Sequence, residues 1–450
     1  MPEPTGASLH VTVLWRHADW GLYGRRHEAI ARELARRPEV GSVLHVEPVS
    51  VPEAGRLLRR WWSTERSSMK EAYAAQLWKL LVPCPRPVEE GLYTTSVLTL
   101  LNRTYPFPVA ALNRWLVRTQ CSLLQNARRE LQGRHTCTLV YPPGMYLPEA
   151  LRVLDSDVVV ADVVDDVLAR VGDARRARMY RAIYRTVFNA ADHAFATSEQ
   201  VVRRFPDAPC DIEVLPNGVT VPEGKGPKER GAGHEGATGK GTGTAPDGRE
   251  SRPLAIYAGQ LNQALDAEIV ESVIEQCPEV TFRFYGPVSD PAGRRVAAAL
   301  ADRSNVDLAG PVPHAELYRR LCQADVLLNF KKPDHTTSGN DLLKIYEYMA
   351  TGRPIVSPRV SPVGRFEEVI HVADTPGQFV VRLRAALRED AEARAETRMA
   401  HARANSWASR VDEVVHILLA LRSASTVRES AQADVPVGGS VKERERGQPS

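Results

Sequence analysis

Between Pro222 and Arg252 the chain reads EGKGPKERGAGHEGATGKGTGTAPDGRES, 29 residues rich in glycine, lysine, glutamate and threonine with almost nothing apolar. Such a stretch cannot bury enough surface to offset the entropy of ordering it, so no single core can run through it. Whatever folds does so on either side. With 450 residues and 43% hydrophobic content, each side is long enough to be a domain. The expected division is a first domain over 1–220, a disordered linker over 221–252, a second domain over 253–422 and a disordered tail over 423–450.

Both halves alternate short apolar runs with helix-length amphipathic ones, the pattern of parallel, doubly wound α/β sheets. In the first half, HVTVLW (His10–Trp15) reads as a buried strand, a helix follows at about Arg26–Arg37, and Val43–Val46 is the second strand. A helix at about Ala110–Leu131 and strands at Thr136–Tyr141, Val158–Val164 and Ala194–Thr197 continue it. In the second half, strands at Leu254–Gly259, Thr281–Tyr285, Val306–Leu308 and Val326–Asn329 alternate with helices at Asp266–Gln276, Gly293–Ala301 and Ala315–Cys322. Final helices are expected from Phe366 to about Leu421. The βα turn after the first strand (RHADWGLYGRR) is not a G-x-G-x-x-G dinucleotide fingerprint. It is either an ordinary turn or a place where Trp20, Gly21 and Gly24 meet a ligand, with Arg25 as charge partner.

Around Asp334–Val356 the chain reads DHTTSGNDLLKIYEYMATGRPIV. A small polar run ending in Gly339 and Asn340 precedes a helix expected over Asp341–Ala350, with Ser338 or Asn340 as its cap. The unpaired amides at such an end, with the helix dipole, attract phosphate oxygens. Lys344 and Glu347 are three apart and share a face. They can neutralise a phosphate and accept two hydrogen bonds from a vicinal diol; alternatively, they form a solvated ion pair.

The segment LLKIYEYMATGRPIV resembles the nucleotide-sugar signature of retaining glycosyltransferases of the GT-B fold, among them bacterial polysaccharide and teichuronic-acid types. The resemblance implies two Rossmann-like domains facing a cleft, and transfer of a sugar from a nucleoside-diphosphate sugar to an acceptor hydroxyl with retention. It implies that Glu347 holds the ribose and that the amides before the helix hold the diphosphate. The order of strand-end glycines (YAG, FYGP, GPV) extends it over nearly the whole second half, giving a donor site of Gly259, Gly286, Val312, Thr337, Ser338, Gly339, Asn340, Leu343, Lys344 and Glu347. Two positions depart from the family pattern. Gly339 stands where many members carry a glutamate that touches the donor sugar, and the loop after Gly259 (QLNQALD) lacks their phosphate-gripping cation. Lys331, Lys332 or Lys344 is expected to supply that charge.

Asp162, Asp165 and Asp166 end the Val158–Val164 strand, where open α/β sheets place active sites. This D-x-x-D-D run resembles the acceptor side of the cleft in bacterial polysaccharide-type transferases, which makes these three the catalytic or acceptor-positioning candidates, one of them capping the next helix. No cofactor or metal is expected beyond the donor. The acceptor class stays open among small-molecule, lipid-linked and polysaccharide hydroxyls. A degenerate, non-catalytic scaffold and a nucleotide-sugar epimerase share the architecture and remain alternatives.

A net charge of +3 argues against nucleic acid as partner. The six scattered cysteines form no CxxC pair, fitting a reducing compartment rather than a zinc site or disulfide framework. Without a signal-peptide pattern or a run of about 18 apolar residues, a cytoplasmic protein is expected. One segment leaves contact with the inner membrane face open. Residues 55–82 are basic and aromatic, with Leu57, Leu58, Trp61 and Trp62 beside Arg56, Arg59 and Arg60. They suit either an anionic membrane surface or, as preferred here, a packed helix with snorkelling arginines.

Overall fold

The computed structural model describes residues 8–64, 67–81, 84–100, 109–132, 135–222, 252–333 and 339–433. The first half begins with β1 (Leu9–Leu14), α1 (Arg26–Ala35) and β2 (Val40–Ser50). Two helices, α2 (Val51–Ser63) and α3 (Ser67–Leu81), come next, then β3 (Arg86–Glu89) and β4 (Leu92–Thr99). The alternation resumes with α4 (Val109–Gln132), β5 (Thr136–Val140), α5 (Leu147–Val153) and β6 (Val158–Val163). It closes with α6 (Ala174–Ala190), β7 (His193–Ala196), α7 (Glu199–Val202) and β8 (Ile212–Val214). The strands form one sheet in the order β3-β4-β2-β1-β5-β6-β7-β8, parallel except for the β3–β4 pair. Val11, Val13, Val43, Leu139 and Val160 are fully buried, as strands covered on both faces require.

The second half runs β9 (Leu254–Ala258), α8 (Ala267–Gln276), β10 (Thr281–Tyr285), α9 (Pro291–Leu300), β11 (Val306–Gly310), α10 (His314–Leu321) and β12 (Val326–Leu328). Then follow α11 (Leu343–Ala350), β13 (Ile355–Ser357), β14 (His371–Val372), α12 (Pro376–Leu387), α13 (Ala391–Ala404) and α14 (Trp407–Ala433). Its sheet is parallel, in the order β11-β10-β9-β12-β13-β14. Asp266 caps α8 through a 3.2 Å bond from the Ile269 amide.

The strand order reverses at β1 in one sheet and at β9 in the other. A ligand crevice is expected beyond the carboxyl ends of those strands.

The end of the chain differs from the sequence expectation. α14 does not stay with the second domain. It returns to the first, where Trp407, Val411, Val414, Val415 and Leu418 join the core of Val11, Ile30 and Leu34. Spaced on one helical stripe, these residues need an apolar partner, and α1 supplies it. The helix continues to Ala433, so residues 423–433 of the expected tail are helical; 434–450 and nearly all of the expected linker lie outside the described residues.

The two segments that pass between domains run side by side at Val219 and Ser406. The Val219 amide bonds to Asn405 O (3.0 Å), and the Trp407 amide bonds to Val219 O (3.1 Å).

The packed-helix expectation for 55–82 holds only on one side. Leu57 is buried beside Met69, Tyr73 and Leu22, whereas Trp62 is 78% exposed. No helix among the described residues is long and apolar enough to cross a membrane.

Candidate functional site

A cleft of about 340 Å³ opens beyond the carboxyl ends of β9 and β10. On the second domain it is lined by Gly259, Gly286, Val312, His314, Leu343, Lys344 and Glu347, and on the first by Leu22, Tyr23 and Arg25 from the loop after β1.

The glycines are there because nothing else fits. Gly286 has φ +140, and a Cβ on it would fall 2.1 Å from the Gly259 carbonyl oxygen. The backbone is left bare along the sheet edge, as close approach to a ligand requires.

α11 starts at Leu343, two residues later than expected. Asn340 is not its cap: Leu342 holds the cap position and makes no side-chain bond to the helix, and Ser338 lies outside the described residues. Among the described residues no side chain caps the first amides of α11.

Lys344 and Glu347 do share a face, but they do not pair with each other. The Lys344 ammonium lies 4.2 Å from the centre of the Tyr257 ring. Burial, reinforced by Lys331, pushes its pKa down to about 7, only partly opposed by Glu347. Glu347 instead meets His314, Nε2 to Oε1 at 2.7 Å. Burial alone would lower the His314 pKa, but the hydrogen bond and charge of Glu347 raise it.

His314 also touches the first domain: a Cβ on Gly24 (φ +55) would come within 2.2 Å of its Nδ1. On the far side of this contact lies a second hollow of about 250 Å³, lined by Glu28, Arg32, Thr220 and Trp407.

Other expected site residues hold the domains together. Gly339 O accepts a 2.8 Å bond from Ser198 Oγ, and Asn340 Oδ1 accepts one of 3.2 Å from Arg170. Asp341 accepts from the Asn217 amide (2.6 Å), from Arg365 (2.8 Å) and from Tyr346 (2.9 Å). This anchors the Pro216–Asn217–Gly218 turn of the first domain to the start of α11. Thr337 and Ser338 lie outside the described residues.

The three aspartates are all neutralised. Asp162 is 1% exposed and bonded to Arg26 at 2.7 Å, and Arg26 in turn holds Pro216 O. Asp166 meets Arg204 at 2.6 Å and caps the short turn after β6 through the Ala169 amide. Asp165 is 28% exposed, between Arg16 (3.0 Å) and Arg170 (3.2 Å). Burial would raise its pKa, but Arg170, then Arg16 and Arg25, hold it below the usual carboxylate range.

In the loop after β1, Trp20 is buried and belongs to the first core, Gly21 donates to Glu28 (2.8 Å), and Arg25 pairs with Asp19 (2.9 Å) at the cleft. Sequence reasoning missed His314, Tyr257 and Tyr23. The V-P-H step after Gly310 was the available signal for His314, because it sits where a strand end turns into a helix.

Among the described residues no group of three His, Cys, Asp or Glu side chains stands ready to hold a metal ion.

Residues 263–416 match the family model described as glycosyl transferase-like. No curated protein matches the chain. Several solved structures share its fold. An E. coli protein described as trehalose-6-phosphate bound with UDP-2-fluoro glucose is 10% identical, with 91% of this chain and 98% of that one covered and a TM-score of 0.58. HepE from Anabaena, in complex with UDP and glucose, is 14% identical (91% and 99%, TM-score 0.54). The UDP-forming trehalose-phosphate synthase from Burkholderia xenovorans, with glucose-6-phosphate, is 11% identical (92% and 100%, TM-score 0.59). The fold is GT-B: two parallel-sheet α/β domains meeting at a cleft. The second of them carries the glycosyl transferase-like region.

Proposed function

We propose that the protein is a glycosyltransferase that moves a sugar from a nucleoside-diphosphate sugar to an acceptor hydroxyl, with the cleft as its donor site. One observation carries the reading: Lys344 and Glu347, one turn apart on α11, line the same cleft as the bare glycine edges Gly259 and Gly286.

A diphosphate fits against those glycines and the α11 amides, with Lys344 as counter-charge. Glu347, released from His314, accepts from the ribose hydroxyls. The α11 amides and Lys344 are placed to stabilise negative charge that builds on the leaving diphosphate. Closing the domains excludes water, so that transfer outruns hydrolysis. UDP is the first nucleotide to try, because two of the neighbours with the same fold were solved with UDP or a UDP-sugar. Retention follows from the resemblance of the α11 segment. Small-molecule, lipid-linked and polysaccharide hydroxyls are the acceptor classes to screen.

The neutralised state of Asp162, Asp165 and Asp166 favours a second reading, a non-catalytic binding scaffold, because none of the three is free to act as a base. Calorimetric titration with UDP, GDP, ADP and TDP, beside Glu347→Ala, tests the donor site. Micromolar binding of one nucleotide, lost in Glu347→Ala, is the expected result. If no nucleotide binds to either protein, the donor site is refuted. Nucleotide release that depends on an acceptor then separates a transferase from the scaffold and from an epimerase.

A further inference from the structure

Large apolar side chains are exposed very unevenly over this molecule. Of the eleven found among the described residues, eight fall between Val51 and Leu123, all in the first domain. Scattered exposure is ordinary, but concentration on one region marks a surface that something covers.

The strongest stripe is on α2. Val51 (54% exposed), Leu58 (51%) and Trp62 (78%) stand at i, i+7 and i+11, nearly in line down one face. A neighbouring face, about 100° round the helix, is already used: Leu57, with Trp61 packed beside it, sits on Met69 and Tyr73. α2 therefore carries two apolar faces, and its own fold satisfies one.

Charge identifies the partner. Arg56, Arg59 and Arg60 are all exposed; Arg59 flanks the outer stripe, while Arg56 and Arg60 stand further round the helix. No carboxylate pairs with any of the three among the described residues. Among the described residues Arg60 donates only to the Tyr23 hydroxyl, at 3.3 Å. An apolar protein face would cover the stripe but leave Arg59 beside it without a counter-charge, whereas anionic headgroups answer the basic helix with phosphate while the acyl boundary takes Trp62 and Leu58. A further exposed stripe, Leu112, Trp115 and Leu123, runs along α4. That helix starts at the carboxyl end of β4, where Asn113 holds the Leu100 amide.

We infer that α2 docks the first domain on an anionic lipid bilayer, with Trp62 and Leu58 entering the interface, Arg59 meeting the headgroups, and Arg56 and Arg60 adding their attraction to the charged surface. The inference is independent of the transferase reading. If that reading also holds, one consequence depends on it: Tyr23, which Arg60 contacts, lines the cleft, so a lipid-borne acceptor hydroxyl would arrive beside the donor.

Flotation of the full chain with phosphatidylcholine vesicles, with and without phosphatidylglycerol, tests the docking. Binding is expected only to vesicles containing phosphatidylglycerol. Each Arg→Gln change at 56, 59 or 60 weakens it about fivefold, and the double variant Leu58→Ser, Trp62→Ser weakens it at least about tenfold. Because both apolar positions are more than half exposed, the double variant should melt with the wild type, and its melt is recorded to establish that it is folded.

Three results overturn the inference: no vesicle binding, binding unaffected by these variants, or equal binding to phosphatidylcholine alone. A concentration-dependent dimer that the double variant abolishes, without vesicle binding, assigns the stripe to a second copy and also overturns it. None of these outcomes depends on nucleotide binding, so failure here leaves the donor site standing.

Discussion

Lys344 offers a sharp test of the donor site, because its charge depends on pH in the range where nucleotide binding is measured. An exposed lysine would keep its proton well past pH 10. Here burial against Tyr257, with Lys331 nearby, brings the pKa to about 7. The free protein then carries the Lys344 charge in about half of molecules at pH 7, in about a tenth at pH 8 and in about a hundredth at pH 9.

A diphosphate beside the ammonium raises that pKa in the complex, so binding takes up a proton. If only the charged form grips the phosphates, the apparent Kd rises about tenfold per pH unit above 7, or ~1.4 kcal/mol per unit. The slope ends where the pH reaches the pKa of the bound state. The terminal phosphate of the nucleotide titrates near ~6 and does not change charge over this window.

Calorimetry at pH 7, 8 and 9, in buffers of different ionisation enthalpy, reads both the slope and the proton uptake. Lys344→Met is expected to bind weakly with no pH slope, which separates Lys344 from His314, whose own titration persists in that variant. A wild-type affinity that changes less than about twofold between pH 7 and pH 9 would refute this account of the lysine. The same depression makes Lys344 a cost to folding at neutral pH, since the unfolded chain binds the extra proton. That contribution eases as the pH rises from about 7 towards 10.5.

Two further predictions concern packing. Gly24→Ala places a methyl group in the His314 ring at a backbone position with positive φ, so the loop after β1 must retreat from the second domain. Nucleotide affinity should fall about tenfold while Tm drops only a few degrees; titration and a thermal melt of the same sample check both. In the second domain, Glu389 accepts from His371 at 2.6 Å and from the fully buried Arg398. Burial alone would raise the Glu389 pKa, but these two partners bring it to about 2. Its stabilisation is present above about 4.5 and is lost as pH falls through about 2. Glu389→Gln should cost about 3 kcal/mol in urea unfolding at pH 7 and flatten the acid limb.

The sheets were legible because each strand covered on both faces is a short run of apolar residues. Thr281–Tyr285 was placed to the residue, and most other strands to within one or two, although β2 extends well beyond Val43–Val46. What one stretch of sequence cannot show is which distant residue answers it. Asp162, Asp165 and Asp166 look like spare carboxylates until Arg26, Arg16 and Arg204 arrive from elsewhere in the chain. Lys344 and Glu347 share a face as their spacing requires, yet each finds a better neighbour, Tyr257 and His314, than the other. Gly339 and Asn340 were read as ligand contacts from their place before a helix. Their partners Ser198 and Arg170 lie more than a hundred residues earlier, across the domain boundary. The destination of α14 was hidden for the same reason: its stripe says that it must pack, not on what.

The paired passage of the chain between domains at Val219 and Ser406 has a mechanical meaning. Two covalent strands bonded edge to edge resist shear and twist more than a lone tether would, and bending about the line they define remains the soft mode. Opening should therefore be a rotation with one degree of freedom, its lever arm running from that line to the contact of Gly24 with His314 at the lip. A small turn at the pivot parts Gly24 from His314 and opens the cleft without disturbing either sheet.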